Sequence, residues 1–174
     1  MSTLNRYKGS SGKFLQVIDI DTELIDLLVN DEKLVNLLAY ENPFEDNPKI
    51  NTRSVLDKYI MQRLYLHEVQ NFTHSTIYLS PKRGSFSGRN STHNWTIRIA
   101  VPNRQEIVES TGQRRYILIA QRVTELVEQH GLSIGVPTVT DYISARLSEN
   151  YILLDLNLMF YLDAGRQYNV NVTE

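Results

Sequence analysis

A chain of 174 residues is long enough to remove roughly 70% of its unfolded surface from water, so one hydrophobic core is expected. Hydrophobic residues at 41%, charged residues at 22% and the lack of any apolar run near the roughly 20 residues of a membrane helix exclude a disordered composition and predict no membrane partner. With no cysteine there is no disulfide, zinc finger or iron–sulfur cluster, and packing and assembly must supply the stability.

The net charge of −2 hides a segregation along the chain: residues 19–46 carry nine acidic side chains against one basic, and residues 81–122 carry eight basic against two acidic. Such blocks form either two solvated faces or complementary surfaces between neighbouring copies or partners. A sequence pI near 6.1 argues against a general DNA binder, although a basic loop could still touch phosphates. Residues 1–12 show no apolar core followed by a cleavage site, so retention in a host cytoplasm is expected, and the sequons at Asn71, Asn90, Asn94 and Asn171 carry little meaning there.

In chain order, residues 1–13 read as a flexible arm rich in Gly and Ser, 14–165 as one α+β domain and 166–174 as a C-terminal tail. A short apolar stretch, 14–20, precedes Leu24, Ile25, Leu27 and Leu28 at helical spacing. Asn30 or Asp31 caps a second helix carrying Leu34, Val35, Leu37 and Leu38. Pro43 and Pro48 mark a turn-rich connector, and 54–67 has the spacing of a further helix. Residues 76–79 form a strand, and 81–94 reads as a long loop. The segment 94–101 alternates Trp95, Ile97, Ile99 and Val101 against polar neighbours, a strand with one buried face that Pro102 ends. Residues 113–130 place Tyr116, Ile119, Ala120, Val123, Leu126 and Val127 on one helical stripe, stopped by Gly131. Residues 136–147 are β-rich, and 151–162 holds a period of two for twelve residues, which predicts an unusually long strand with one apolar row. The fold class is therefore α+β: a mainly antiparallel, mixed sheet with a long helix on one face and short N-terminal helices.

No pattern specifies a reaction. Asp19 and Asp21 resemble the aspartate pair of haloacid-dehalogenase-type phosphatases, but Glu23 stands where that motif wants Thr or Val and no later acidic pair can hold magnesium, so caps and turns are the expected role. The 9–13 stretch is too short for a phosphate-binding loop, and Phe14 occupies the hydroxyl position. His67 and His74 are seven residues apart, off the spacing of a helical zinc pair, with His93 further along. No catalytic, cofactor-binding or metal residues are predicted. The candidate partner contacts are Lys82, Arg83, Phe86 and Arg89 in the loop, and Arg114 with Arg115 at a helix start, where two cations oppose the helix dipole.

The Leu-rich segment 30–38, the strand pair with its long connection, the Arg-Arg-led helix and the final pair ending Phe160-Tyr161-Leu162 together resemble phage tail-terminator and related neck or tail-completion proteins, over roughly residues 20–165. The resemblance implies a virion protein without catalytic residues or cofactors that self-associates into a ring, commonly a hexamer, caps the tail tube protein and meets the head connector, with DNA only as cargo. A head-completion or connector protein of the same neck is the alternative within the class. A small nucleic-acid-binding or processing protein using the basic 81–94 segment is the alternative outside it.

Overall fold

The computed structural model describes residues 12–62, 73–87, 90–132, 135–148 and 150–163. Helices α1 (Gly12–Val29), α2 (Glu32–Ala39) and α3 (Thr52–Lys58) lead into strand β1 (Ile60–Gln62), followed by β2 (Thr76–Ser87) and β3 (Asn90–Pro102). A two-stranded ribbon, β4 (Ile107–Val108) and β5 (Gln113–Arg114), precedes helix α4 (Arg115–His130). Strands β6 (Thr138–Ser148) and β7 (Tyr151–Asp163) close the fold. The main sheet has the order β1-β2-β3-β7-β6, with β1 parallel to β2 and every other pair antiparallel. This is the expected α+β architecture, with the mixed character coming from β1.

The local reasons are legible. Asp31 caps α2, its Oδ1 accepting from the Leu34 amide at 2.7 Å, and Asn51 caps α3 by accepting from the Arg53 amide at 2.8 Å. Helix α4 ends at Gly131, whose φ of 60° suits a residue without Cβ. The apolar rows of β3 and β7 face the helices: Trp95, Ile97, Ile99 and Val101 join Ile152, Leu154, Leu156, Leu158 and Phe160 in one core with α1, α2 and α4. Trp95 lies edge-on to Phe160 with ring centroids 5.6 Å apart, the core-packing role its position predicts. Each of these side chains contributes about 1.5–3 kcal/mol by leaving water, which fixes the register because a one-residue slip would expose the whole row.

The opposite face of the sheet is divided. At one end Tyr78, Ala100 and Leu153 form a small buried cluster against Met61. Beyond it runs a polar ladder in which Arg98 grips Asp155 with two bonds of 2.7 Å and Thr96 donates to Asn157 at 2.7 Å, while Asn157 donates to Asp141. Further along, Met159 and Tyr161 are exposed.

Several sequence expectations are corrected. The 81–94 segment is not a projecting loop: β2 and β3 continue through it, paired from Pro81 opposite Trp95 to Ser87 opposite Asn90, with one register shift between Pro81 and Arg83. Backbone hydrogen bonding carries the pairing there, so Gly and Ser do not interrupt it. The helix expected over 54–67 stops at Lys58, and Ile60–Gln62 is a strand; residues 63–67 lie outside the described residues. The stretch 14–20 is not separate from the helix after it, since α1 runs unbroken from Gly12 to Val29, into the expected arm. Asp19 and Asp21 therefore lie inside a helix rather than at a cap or turn. Residues 1–11 and 164–174, which include the rest of the arm and the tail, lie outside the described residues.

Candidate assembly surface

The basic block of the sequence does not form one surface. Lys82 and Arg83 are exposed at the register shift of β2, Arg83 opposite Asn94. Arg114 follows the far end of β3 in the chain, and the eight steps of β3 from Asn94 to Pro102 span roughly 26 Å at ~3.3 Å per residue. Phe86 pairs through its backbone with Ser91, and its side chain lies outside the described residues, as does all of Arg89. Between these points the block is used internally. Arg98 holds Asp155, and Arg104 donates to the Thr73 carbonyl at 2.8 Å. Arg122 donates to both Asp31 oxygens, at 3.0 and 2.6 Å, and to Glu125 at 3.0 Å. The acidic N-terminal block and the basic block thus meet in part within one chain. Burial pushes the Asp31 carboxyl up, but the Arg122 and Leu34 donors outweigh it and hold the pKa below the ordinary aspartate range. The Arg122 guanidinium is raised in turn by its bond to Asp31.

Arg114 and Arg115 part company. Arg114 is exposed, donates to the Tyr116 hydroxyl at 2.8 Å and stands 3.9 Å from Glu106 of its own chain; the hydroxyl bond raises its pKa. Arg115 is only 1% exposed and cannot meet a partner. Its guanidinium donates to four backbone carbonyls, those of Gln105 at 3.0 Å, Leu37 at 2.8 Å, Tyr40 at 2.7 Å and Glu41 at 2.6 Å. The Leu37 carbonyl belongs to the last turn of α2, and those of Tyr40 and Glu41 follow it, where the negative end of the helix dipole favours a cation. Burial lowers the Arg115 pKa, yet an arginine stays protonated there. The expected interface pair is therefore one surface cation and one internal clamp.

The histidines are dispersed among the described residues: His74 meets the Lys58 carbonyl at 3.1 Å and stands edge-on to Tyr59, while His93 sits in the β2–β3 hairpin, tilted towards Trp95. His67 lies outside the described residues. Gly84 makes room for the His93 ring, since a Cβ there would fall 3.0 Å from Nδ1. Burial lowers the pKa of His74 and His93 below 6.5. The unfolded chain then binds protons that the folded chain resists, so stability present above about pH 6.5 is lost as pH falls towards the folded pKa values. Thermal melts should show a transition temperature that drops between pH 7 and 5, with a smaller drop in His93→Gln; an identical drop in that variant would remove His93 from the explanation.

Sequence reading found the strand β6 but not its place at the edge of the sheet. Tyr142 and Ile143 are exposed there at 67% and 60%, on a strand that pairs with β7 alone among the described residues. The β-rich composition of 136–147 announced a strand but not its place at the sheet's margin. Asp31, Leu118, Arg122 and the exposed Phe44 also line an open groove of about 680 Å³ between α2, its following turn and α4. Among the described residues no helix is long and apolar enough to cross a membrane.

Among the described residues of this α+β protein the exposed features are a sheet edge, a few apolar side chains and surface cations. A family model described as YomW matches residues 31–160, and the chain belongs to the YomW family, a phage-derived family. No curated protein matches it.

Proposed function

We propose that this chain is a structural subunit of a phage particle, a tail terminator that forms a ring on the head-proximal end of the tail tube and joins it to the head connector. The observation that carries the reading is the coincidence of two spans: the phage-derived family match covers residues 31–160, inside the 20–165 region whose element order resembles tail-terminator and neck proteins. The fold keeps that order, with N-terminal helices, a hairpin, a long helix and a closing hairpin. Assembly takes place in the host cytoplasm, the product resides in the virion, and six copies are the expected ring size.

Electron microscopy of particles made without the protein tests this. Tails of uncontrolled length or blunt tails that fail to join heads are expected, with joining restored by adding the purified chain. Normal tails carrying heads overturn the terminator role, and full heads that leak DNA without tails favour the head-completion alternative. Lys82 and Arg83, adjacent in sequence and both exposed, also suit a phosphate backbone. A nucleic-acid affinity that falls steeply with salt in the wild type and is lost in Lys82→Ala with Arg83→Ala favours that second reading.

A further inference from the structure

The α2–α4 groove and strand β2 carry opposite charges that the described residues leave without a counter-ion. Four carboxylates and two cations line the groove. Of these, Arg122 is taken up by Asp31 and Glu125, Glu32 is held by Lys49 at 3.1 Å, and Lys33 stands exposed on the rim. Glu45 remains, with Glu41 and Asp46 in the same turn after α2; all three are exposed and make no ion pair among the described residues. Phe44, 58% exposed, shares the groove lining with Leu37 and Leu118, so apolar surface adjoins this acidic turn. On β2, residues 81–85 are exposed without a break, where a half-buried strand would alternate, so this part stands clear of the core. Lys82 falls at the register shift, which bends the strand, and neither it nor Arg83 makes an ion pair among the described residues.

We infer that the contact between copies is head-to-tail: the Lys82–Arg83 segment of one copy enters the acidic α2–α4 groove of the next, its cations meeting the partner subunit's Glu45 and the partner subunit's Asp46. The choice of a second copy as occupant rests on the ring proposed above; the inference adds which surfaces meet. A ring of identical chains needs two different, complementary patches on each copy, and this chain carries both. The patches stand apart within one copy. Arg83 pairs opposite Asn94, while the groove begins where Arg115 joins α4 to the Leu37 carbonyl and to Gln105, beyond the Pro102 end of β3. The acidic and basic blocks of the sequence already meet inside the chain through Arg122, and the charges left over are those a neighbour can reach. Complementary charge sets the orientation of such a contact, the Arg83 fork can take a carboxylate bidentately, and the aliphatic stems of both cations can lie on the partner subunit's Phe44.

Charge reversal on each half tests the pairing. One variant carries Lys82→Glu with Arg83→Glu, the other Glu45→Lys with Asp46→Lys; all four positions are exposed, so both variants are expected to keep the wild-type melting temperature. Under the conditions in which the wild type assembles, single-particle mass measurement should show each variant alone needing a roughly ten-fold higher concentration, or more, because like charges then face each other. In an equimolar mixture, every contact between unlike variants joins two native halves or two reversed halves, and the wild-type mass is expected to return. Either variant assembling alone as readily as the wild type, or a mixture no larger than its parts, would overturn the contact and leave the ring standing. A wild type that stays monomeric both alone and with tail tubes lacking their cap would overturn the ring and the contact together.

Discussion

Replacing Arg115 by alanine is expected to cost about 3–5 kcal/mol, the loss typical of breaking a buried charged cluster, and to lower the melting temperature by roughly 10–15 °C in a chain of this size. The four carbonyls that Arg115 satisfies are held by a side chain 1% exposed, so water cannot simply replace it. The same guanidinium ties α4 to the C-terminal end of α2 and to the short 3₁₀ turn at Asn103–Gln105, so its loss loosens three segments together. Lysine keeps the charge but lacks the planar fork, and Arg115→Lys should recover only part of the stability. Its sequence neighbour supplies the control: Arg114→Ala removes an exposed side chain and should leave the melting temperature close to that of the wild type. Thermal denaturation of the three variants checks this, and equal melting temperatures for Arg114→Ala and Arg115→Ala would refute the clamp.

Leu156→Asp should abolish folding. Leu156 is 4% exposed on β7, a strand paired on both sides, opposite Ile97 on β3 and within the core that α4 helps to close. A carboxylate there would sit among the apolar side chains of that core, and its burial costs several kcal/mol, a large part of the ~5–15 kcal/mol that holds a domain together. The neighbouring Asp155 shows what the other face allows: it is an acid in the same strand, matched by two bonds from Arg98. Circular dichroism of Leu156→Asp should show no cooperative melt. A native spectrum with a sharp transition would mean that the apolar row does not carry the fold.

The rows of β3 over 94–101 and of β7 over 151–162 were legible in the sequence because burial on one face imposes a period of two that nothing local imitates over eight to twelve residues. Helix α4 was legible for the same reason, although 113–114 belongs to β5 and not to the helix, a pairing with Ile107 and Val108 too short to leave a pattern. The 81–94 segment misled because its Gly, Ser and Arg are turn-forming by composition, while β2 and β3 zip through backbone groups common to every residue. Strand β1 was hidden by Tyr59, Ile60 and Leu64, whose spacing also fits a helix. Of the candidate surface, the exposure of Lys82, Arg83 and Arg114 agreed with their polarity. The burial of Arg115 could not be foreseen, because carbonyls some 75 residues away in sequence bind it. Nor could the place of β6 at the margin of the described sheet, since strand order is a property of the assembled sheet.

The central claim is a ring of fixed subunit number on the tail tube, and mass measurement of single particles tests it most directly. The purified full-length chain should be weighed alone and after mixing with tail tubes that lack their cap. A discrete species of constant subunit number, six copies by expectation, seated at one end of each tube, is the predicted result. Monomers or dimers alone, with or without tubes, would contradict it.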